Sequence, residues 1–513
     1  MNERSQLKIG ALLSYLQMAL GIVIGLAYTP VMIRLLGESE YGLYNTVSST
    51  IALLSILELG FTSGYILYYS RYKKQNDRPA IDRLNGLYMI IFSVLGVIAL
   101  ACGLYLSENL HIVFDEGLTA GEYRIARILM ILLSFNLALS LPMSVFVSII
   151  SAHEKYICLK LVNILRTVMS PLVTLPLLLM GYRSIAMVVI TLACYVVADS
   201  IYVWFVLFRL KERFAIRGIR KKDFTGLFAF TFFIAINLLV DQINWNVDKI
   251  LLGRYRGTTA VGIYAVGYTL YTYYQMFSTA ISGVFTPRVH KLVNDFQHDE
   301  AKRRTVLTDL FTKVGRLQFI VLGLISTGLL FFGKYFITKI WAGEGYAQSY
   351  YVLLLLMFPA TTAQIQNVGL EIQRALNRHK FRSIAYLIMA IGNFTMSYFL
   401  CQKYGVLGCA FGTAVSLVIS CGIMINIYYH KRCDVDVIFF WKSILRIVPG
   451  MMPAITCGIL LNIFLPPTSI WMFVAQISAY GAVYCVFVYF IGMNRYEKNL
   501  LRQALKKVLR KSV

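Results

Sequence analysis

The chain has 513 residues, 58% of them hydrophobic and 14% charged, with a formal net charge of +24. Soluble domains carry about 25% charged residues, so this much apolar surface requires lipid as its solvent and excludes an ordinary soluble enzyme. The basic excess would suit nucleic acid only if it formed one face; here the cations alternate from loop to loop, which excludes that partner.

A helix needs roughly 20 apolar residues to cross a ~30 Å hydrocarbon core, and stretches of that length recur along the whole chain. They predict an all-α, polytopic membrane protein of about fourteen transmembrane helices, near 9–33, 42–67, 84–106, 125–150, 158–180, 185–208, 225–252, 260–286, 310–332, 350–373, 381–402, 407–429, 444–465 and 469–491. Arg4 and Lys8 ahead of the first stretch imitate a signal peptide, but the stretch is too long and lacks a small-residue cleavage site. It reads as an uncleaved first span. Placing both termini on one side gathers the basic segments 71–83, 209–222, 288–304, 374–382, 431–446 and 495–511, with Lys155 and Lys160. The opposite loops hold Glu38, Glu40, Glu108, Asp115, Glu116, Glu122 and Glu344, and the Lys/Arg ratio between the sides is roughly four to one. The expected orientation is therefore multi-pass in the cytoplasmic (inner) membrane with both termini cytoplasmic. The tail from Asn494 to Val513 sets Leu500, Leu501, Ala504, Leu505, Val508 and Leu509 on one helical side and cations on the other, as a helix lying on the anionic inner leaflet would.

The motifs of catalysis are missing. Nine scattered cysteines form no CxxC pair, the six histidines fall in or beside loops, and there is no HExxH, GxSxG or phosphate-binding glycine loop. The run Asp434-Val435-Asp436 echoes a metal-binding carboxylate pair, but one match in a basic loop is weak. We expect no catalytic residue, no metal and no cofactor.

An internal repeat organises the spans. RLLGESEYGLY (34–44) follows the first span and DKILLGRYRGTTAVGIY (248–264) the seventh, both with Leu-Leu-Gly and then Gly-Leu/Ile-Tyr, about 220 residues and six spans apart. An even offset makes the repeat parallel, with its axis along the membrane normal. The expected domains are an N-terminal lobe (1–210, spans one to six), a pseudo-symmetric C-terminal lobe (211–435, spans seven to twelve), and 436–513 with the last helix pair and the tail.

Mid-bilayer charge costs about 2.5–3.5 kcal/mol on insertion scales, so polar residues within spans are the site candidates. In span seven Asn237, Asp241, Asn244 and Asp248 follow one helical stripe. Glu58 shares a face with Ser55, Thr62, Tyr65 and Tyr69. Asn163, Arg166 and Ser170 align in span five, and Gln364, Asn367 and Glu371 in span ten with Arg374 just beyond. Asp199 lies in span six beside Tyr195 and Tyr202. Set against each candidate is a plain alternative, an internal salt bridge or a side chain reaching the interface. The 34 tyrosines could stack on sugars but are more simply interfacial belt residues. Pro30 and Pro359 are the kinks best placed for a gate.

Four segments in order carry a family resemblance: Pro30 with RLLGESEYGLY, ELGFTSGYILYYSR (58–71), DKILLGRYRGTTAVGIY, and YGVLGCAFGT (404–413) after Asn393. The chain resembles the polysaccharide-transporter branch of the multidrug/oligosaccharidyl-lipid/polysaccharide exporter superfamily. That resemblance implies two six-helix lobes about a central cavity, alternating access, and a polyprenyl-pyrophosphate-linked oligosaccharide as cargo, flipped from inner to outer leaflet for O-antigen, capsule or exopolysaccharide assembly. It implies membrane lipids as surroundings, a glycan polymerase and glycosyltransferases of the same pathway as partners, and a monomer. Substrate binding would fall to Arg166, Asn163, Glu58, Asn244 and Arg374, with Arg34 and Arg71 as further cations for the pyrophosphate. Asp199, Asn237, Asp241, Asp248, Asn367 and Glu371 would line the cavity or bind a coupling ion. The sequence departs from the family where Glu58 stands for a more usual Asp, and it lacks the arginine cluster of peptidoglycan-precursor flippases. A cation-coupled multidrug antiporter and a membrane-embedded glycan polymerase or ligase are the alternatives.

Overall fold

A computed structural model describes residues 3–58, 61–114, 118–217, 221–378 and 380–509. Among them every regular element is helical. Asp115, Glu116 and the Leu59-Gly60 pair lie outside the described residues, as do the side chains of Asn237, Ala504, Leu505, Val508 and Leu509. The chain divides into two units, Met1–Ala265 with Phe394–Cys409, and Val266–Asn393 with Ala410–Val513.

In chain order the helices are α1 (Glu3–Leu54), α2 (Phe61–Lys74), α3 (Arg78–Glu108), α4 (Ala120–Ala152), α5 (Tyr156–Leu179), α6 (Ser184–Trp204), α7 (Lys221–Gly283), α8 (Thr286–Asp295) and α9 (Glu300–Tyr335). There follow α10 (Ala347–Gln364), α11 (Asn367–Ala375), α12 (Lys380–Leu417), α13 (Ile425–Arg432), α14 (Val437–Leu445), α15 (Val448–Phe464), α16 (Ile470–Phe487) and α17 (Arg495–Leu509). Eight helical stretches are long and apolar enough to cross a membrane, and two bent pairs, α10 with α11 and α14 with α15, each make one more span.

Three helices are far too long for one crossing. At 1.5 Å per residue, the 52 residues of α1 would reach roughly 80 Å and the 63 of α7 roughly 95 Å. Each is two helices joined at a glycine: α1 breaks at Gly37, α7 at Gly257 and α12 at Gly405. Dividing them there brings the chain to about fourteen spans, as its hydropathy predicts.

The first two breaks have almost the same backbone, φ 79° and ψ 172° at Gly37, φ 82° and ψ 176° at Gly257. A positive φ of this kind is open to glycine and strained for other residues. They stand 220 positions apart, the offset at which Gly42-Leu43-Tyr44 matches Gly262-Ile263-Tyr264. Matching Leu-Leu-Gly to Leu-Leu-Gly pairs Gly37 with Gly253, but Gly253 stays within the helix, facing Thr46 so closely that a Cβ would come to 2.6 Å from its methyl. The partner of Gly37 is Gly257, and the Leu-Leu-Gly match lies four residues out of that register.

Packing in the first unit follows from that register. A Cβ on Gly42 would overlap the Thr258 carbonyl, and one on Gly262 would come to 2.6 Å from the Glu38 carbonyl. Both contacts obey the 220-residue offset, so the repeats cross backbone to backbone and each supplies the glycine that lets the other approach. Elsewhere in the unit the core is aromatic and aliphatic, with Tyr65, Tyr88, Phe92, Phe146 and Tyr202 buried together. The second unit has its own core, including Phe332, Phe473, Tyr480 and Tyr484. Pro359 sits inside α10, while the 40° break comes later, between Gln364 and Asn367.

Candidate functional site

Within the first unit, α5 and α6 bring Arg166 and Asp199 together as an ion pair, which neutralises two charges that neither helix could hold alone in an apolar setting. The guanidinium also lies over two rings, 4.7 Å from the centre of Tyr195 and 5.4 Å from that of Tyr202. The Tyr202 hydroxyl donates to Asn163 Oδ1 at 3.2 Å. Buried Arg166 Nε has no hydrogen-bond partner, leaving a donor for another acceptor. Three sequence candidates, Arg166, Asp199 and Asn163, therefore share one constellation: a balanced guanidinium framed by the aromatic faces of Tyr195 and Tyr202.

The stripe in α7 divides. Asp241 is exposed, whereas Asn244 and Asp248 are 3% and 2% exposed. Both polar side-chain atoms of Asn244 are buried without a hydrogen bond, and Asp248 accepts from the Tyr264 hydroxyl at 2.6 Å. That bond joins the two arms of the second repeat. Glu58 accepts from Thr62 at 3.2 Å, but its expected neighbours Tyr65 and Tyr69 are buried and stack at 5.9 Å. A 3₁₀ turn at Ser55–Glu58 interrupts the α-helical register that would align them. Arg34 and Arg71 are exposed.

In the second unit Asn367 donates to Ser278 Oγ at 2.8 Å and to Gln364 Oε1 at 3.0 Å, and Gln318 donates to the Ser278 carbonyl at 3.0 Å. These amides knit α7, α9 and the break after α10. Glu371 pairs with Arg374 at 2.8 Å and faces His290 at 3.7 Å. Arg374 is exposed and its charge is balanced by that neighbour.

Sequence reasoning missed the ionic links between distant segments. Glu212, whose side chain is fully buried, accepts from His153 at 2.8 Å and from Asn85 at 3.1 Å and pairs with Arg78 at 3.2 Å. Burial pushes its carboxyl pKa up, but the His153 hydrogen bond and the Arg78 charge outweigh burial and hold it below the ordinary carboxylate value. Arg316, 5% exposed, pairs with Glu497 at 2.6 Å and so anchors α17. The Asp434-Val435-Asp436 run serves structure: Asp434 pairs with Arg303 at 2.8 Å and Arg378 at 3.6 Å, and Asp436 caps α14. Among the described residues no group of three His, Cys, Asp or Glu side chains could hold a metal.

The family model described as "Polysaccharide biosynthesis protein" matches residues 10–293, more than half of the chain. The chain belongs to the polysaccharide biosynthesis protein family. A family relative from Shigella flexneri, named "Putative O-antigen transporter", is 20% identical over 413 residues, 78% of this chain and 92% of that protein. In fold the chain is similar to the lipid II flippase MurJ in an inward closed conformation, with a TM-score of 0.73 at 16% identity over 96% of this chain and 99% of that one. It is also similar to the MATE multidrug transporter DinF-BH, with a TM-score of 0.58 at 15% identity over 84% of this chain and 96% of that one. Membership of this family and the fold of these transporters make the chain a multi-pass membrane protein.

Proposed function

We propose that the chain is a flippase that carries a polyprenyl-pyrophosphate-linked oligosaccharide from the inner to the outer leaflet of the cytoplasmic membrane by alternating access. The observation that carries the reading is the family match over residues 10–293, to which the likeness to 92% of an O-antigen transporter adds the cargo class. The chemistry of the spans is compatible with that cargo. A glycan and a pyrophosphate must pass through apolar surroundings, and Arg166 offers a guanidinium whose charge Asp199 already balances, so the protein tolerates it before cargo arrives. A phosphate displacing Asp199 would gain charge-assisted, bidentate hydrogen bonds, and the freed carboxylate could take up a proton. Tyr195 and Tyr202 present aromatic faces beside it.

On this reading the lobes are 1–210 and 211–435, with 436–513 appended, both termini face the cytoplasm, and a monomer suffices. Glycosyltransferases and a glycan polymerase would act before and after the flip. The test is transbilayer movement of a fluorescent polyprenyl-pyrophosphate oligosaccharide in liposomes holding the purified protein, beside uptake of a cationic dye. Movement of the lipid-linked sugar, lost in Arg166→Gln, supports the flippase; dye transport alone makes the chain a multidrug antiporter, the reading that the MATE-like fold keeps open.

A further inference from the structure

Among the described residues three arginines with little exposure have carboxylate partners, Arg166 with Asp199, Arg303 with Asp434 and Arg316 with Glu497. Arg382, near the start of α12 and partly buried, does not: among the described residues no Asp or Glu lies within ion-pair distance of it. Two tyrosines hold it instead. Its Nη2 donates to the Tyr386 hydroxyl at 2.7 Å, its Nη1 lies 3.4 Å from the Tyr429 hydroxyl, and its guanidinium sits 4.8 Å from the Tyr386 ring centre. Two of the five guanidinium donors are thus used and three remain.

The cage is built. Tyr429 is 1% exposed and pinned on two sides, by the Phe311 ring at 5.7 Å and by Gly369, where a Cβ would overlap the Tyr429 ring. Tyr386 lies against the buried thiol of Cys421. The surroundings add positive charge, since Arg303 and Arg378 share the single carboxylate of Asp434, and Lys431 and Arg432 follow Tyr429 closely. Leaving a guanidinium among tyrosines without an acid is costly unless an anion completes it.

We propose that Arg382, presented by Tyr386 and Tyr429, is a phosphate-binding site of the second unit. Its ligand class is a phosphate or diphosphate on a lipid, from either a prenyl diphosphate or an anionic headgroup. The flippase reading supplies the prenyl diphosphate as ligand; the anion site follows from the cage itself. The Tyr429 hydroxyl, which accepts from Arg382, can donate onward to a phosphate oxygen, and the guanidinium keeps a face for two parallel hydrogen bonds.

The full chain in phosphatidylcholine nanodiscs is titrated with farnesyl diphosphate and with farnesol. The wild type is expected to bind the diphosphate and not the alcohol. Arg382→Gln should weaken binding about tenfold or more, Arg382→Lys less, and Lys334→Gln, an exposed cation at the far end of α9 from Arg303, not at all. Tyr429→Phe, which removes only a hydroxyl, should weaken binding severalfold while keeping the melting temperature, which separates the site from a folding defect. In a second arm phosphatidylglycerol replaces part of the phosphatidylcholine. Competition with farnesyl diphosphate that disappears in Arg382→Gln assigns the site to headgroups as well; no competition assigns it to the diphosphate. Equal farnesyl diphosphate affinity in wild type and a folded Arg382→Gln overturns the proposal. The two readings fail separately: binding through Arg382 without flipping of lipid-linked sugar removes the flippase, whereas flipping with binding untouched by Arg382→Gln removes only this site.

Discussion

The first unit is fastened differently at its two ends. Where the repeats cross, Gly42 and Gly262 bring backbones together, and Ser39, Thr258 and Glu122 add hydrogen bonds, Ser39 to Thr258 at 2.8 Å and Thr258 to Glu122 at 3.2 Å. At the other fastening, residues 210–217 are held to α3 and α4 by Glu212 with Arg78, His153 and Asn85, helped by a backbone bond from Ala215 to Asp82 at 2.9 Å. The first fastening relies on the absence of a side chain, with the half-buried Glu122 carboxylate only adding hydrogen bonds beside the backbone contact. The second concentrates its strength in one buried carboxylate. Close backbone contact makes a permanent joint, whereas an ionic clamp can be released by protonation, so the segment leading from α6 towards α7 is the part that can let go.

The sharpest break of this comparison is Gly42→Leu. Its side chain would meet the Thr258 backbone, which cannot rotate aside, so the cost should exceed ~4 kcal/mol and show as lost yield or a collapsed melting temperature in detergent. Gly21→Leu, with open space around its Cβ position, is the control and should melt like the wild type. Next comes Glu212→Gln, which leaves Arg78 without its buried partner. A loss of ~3 kcal/mol is expected, seen as a lower melting temperature and faster proteolytic nicking within 210–217. Unchanged nicking would mean that the Ala215 to Asp82 bond alone holds the segment.

The same carboxylate gives a pH dependence of fixed sign. Its folded pKa lies below the ordinary value, so its contribution is full above the unfolded pKa of about 4.3 and is lost as pH falls through the folded value. Acidification into that window should loosen 210–217 in the wild type, by hydrogen exchange, and change Glu212→Gln little. Loosening of equal size in both would place the sensitivity elsewhere.

The sequence made the spans legible because hydrophobic length is a local property, and the glycines of the turns were visible as motifs. Arg166, Asp199 and Asn163 were legible too, since a polar residue in an apolar run stands out wherever it lies. Their joining into one cluster was not: the Arg166 and Asp199 positions are 33 residues apart, on different helices. Glu212, Arg316 and Arg382 were passed over for the opposite reason. They stand near charged loops, where an acid or base attracts no notice, and their partners lie at separations such as 127 residues for Glu212 with Asn85 and 181 for Arg316 with Glu497. No periodicity carries such a pairing.

The smallest expected effect tests the repeat register. If Gly257 is the partner of Gly37, Gly257→Ala places a Cβ on a backbone at φ 82° and should cost ~1–2 kcal/mol, with no neighbour whose trimming could restore it, since nothing lies within 4 Å of that Cβ. Gly253→Ala keeps a helical backbone and fails, if at all, only through the Thr46 methyl at 2.6 Å, so adding Thr46→Ala should recover most of the loss. Melting temperatures of the four proteins decide it. Rescue of Gly253→Ala alone supports an offset of 220 and a strained turn at Gly257. If Gly257→Ala melted like the wild type, the turn could be made by any residue, and the likeness of the two repeats would reside in their packing glycines, Gly42 and Gly262, instead.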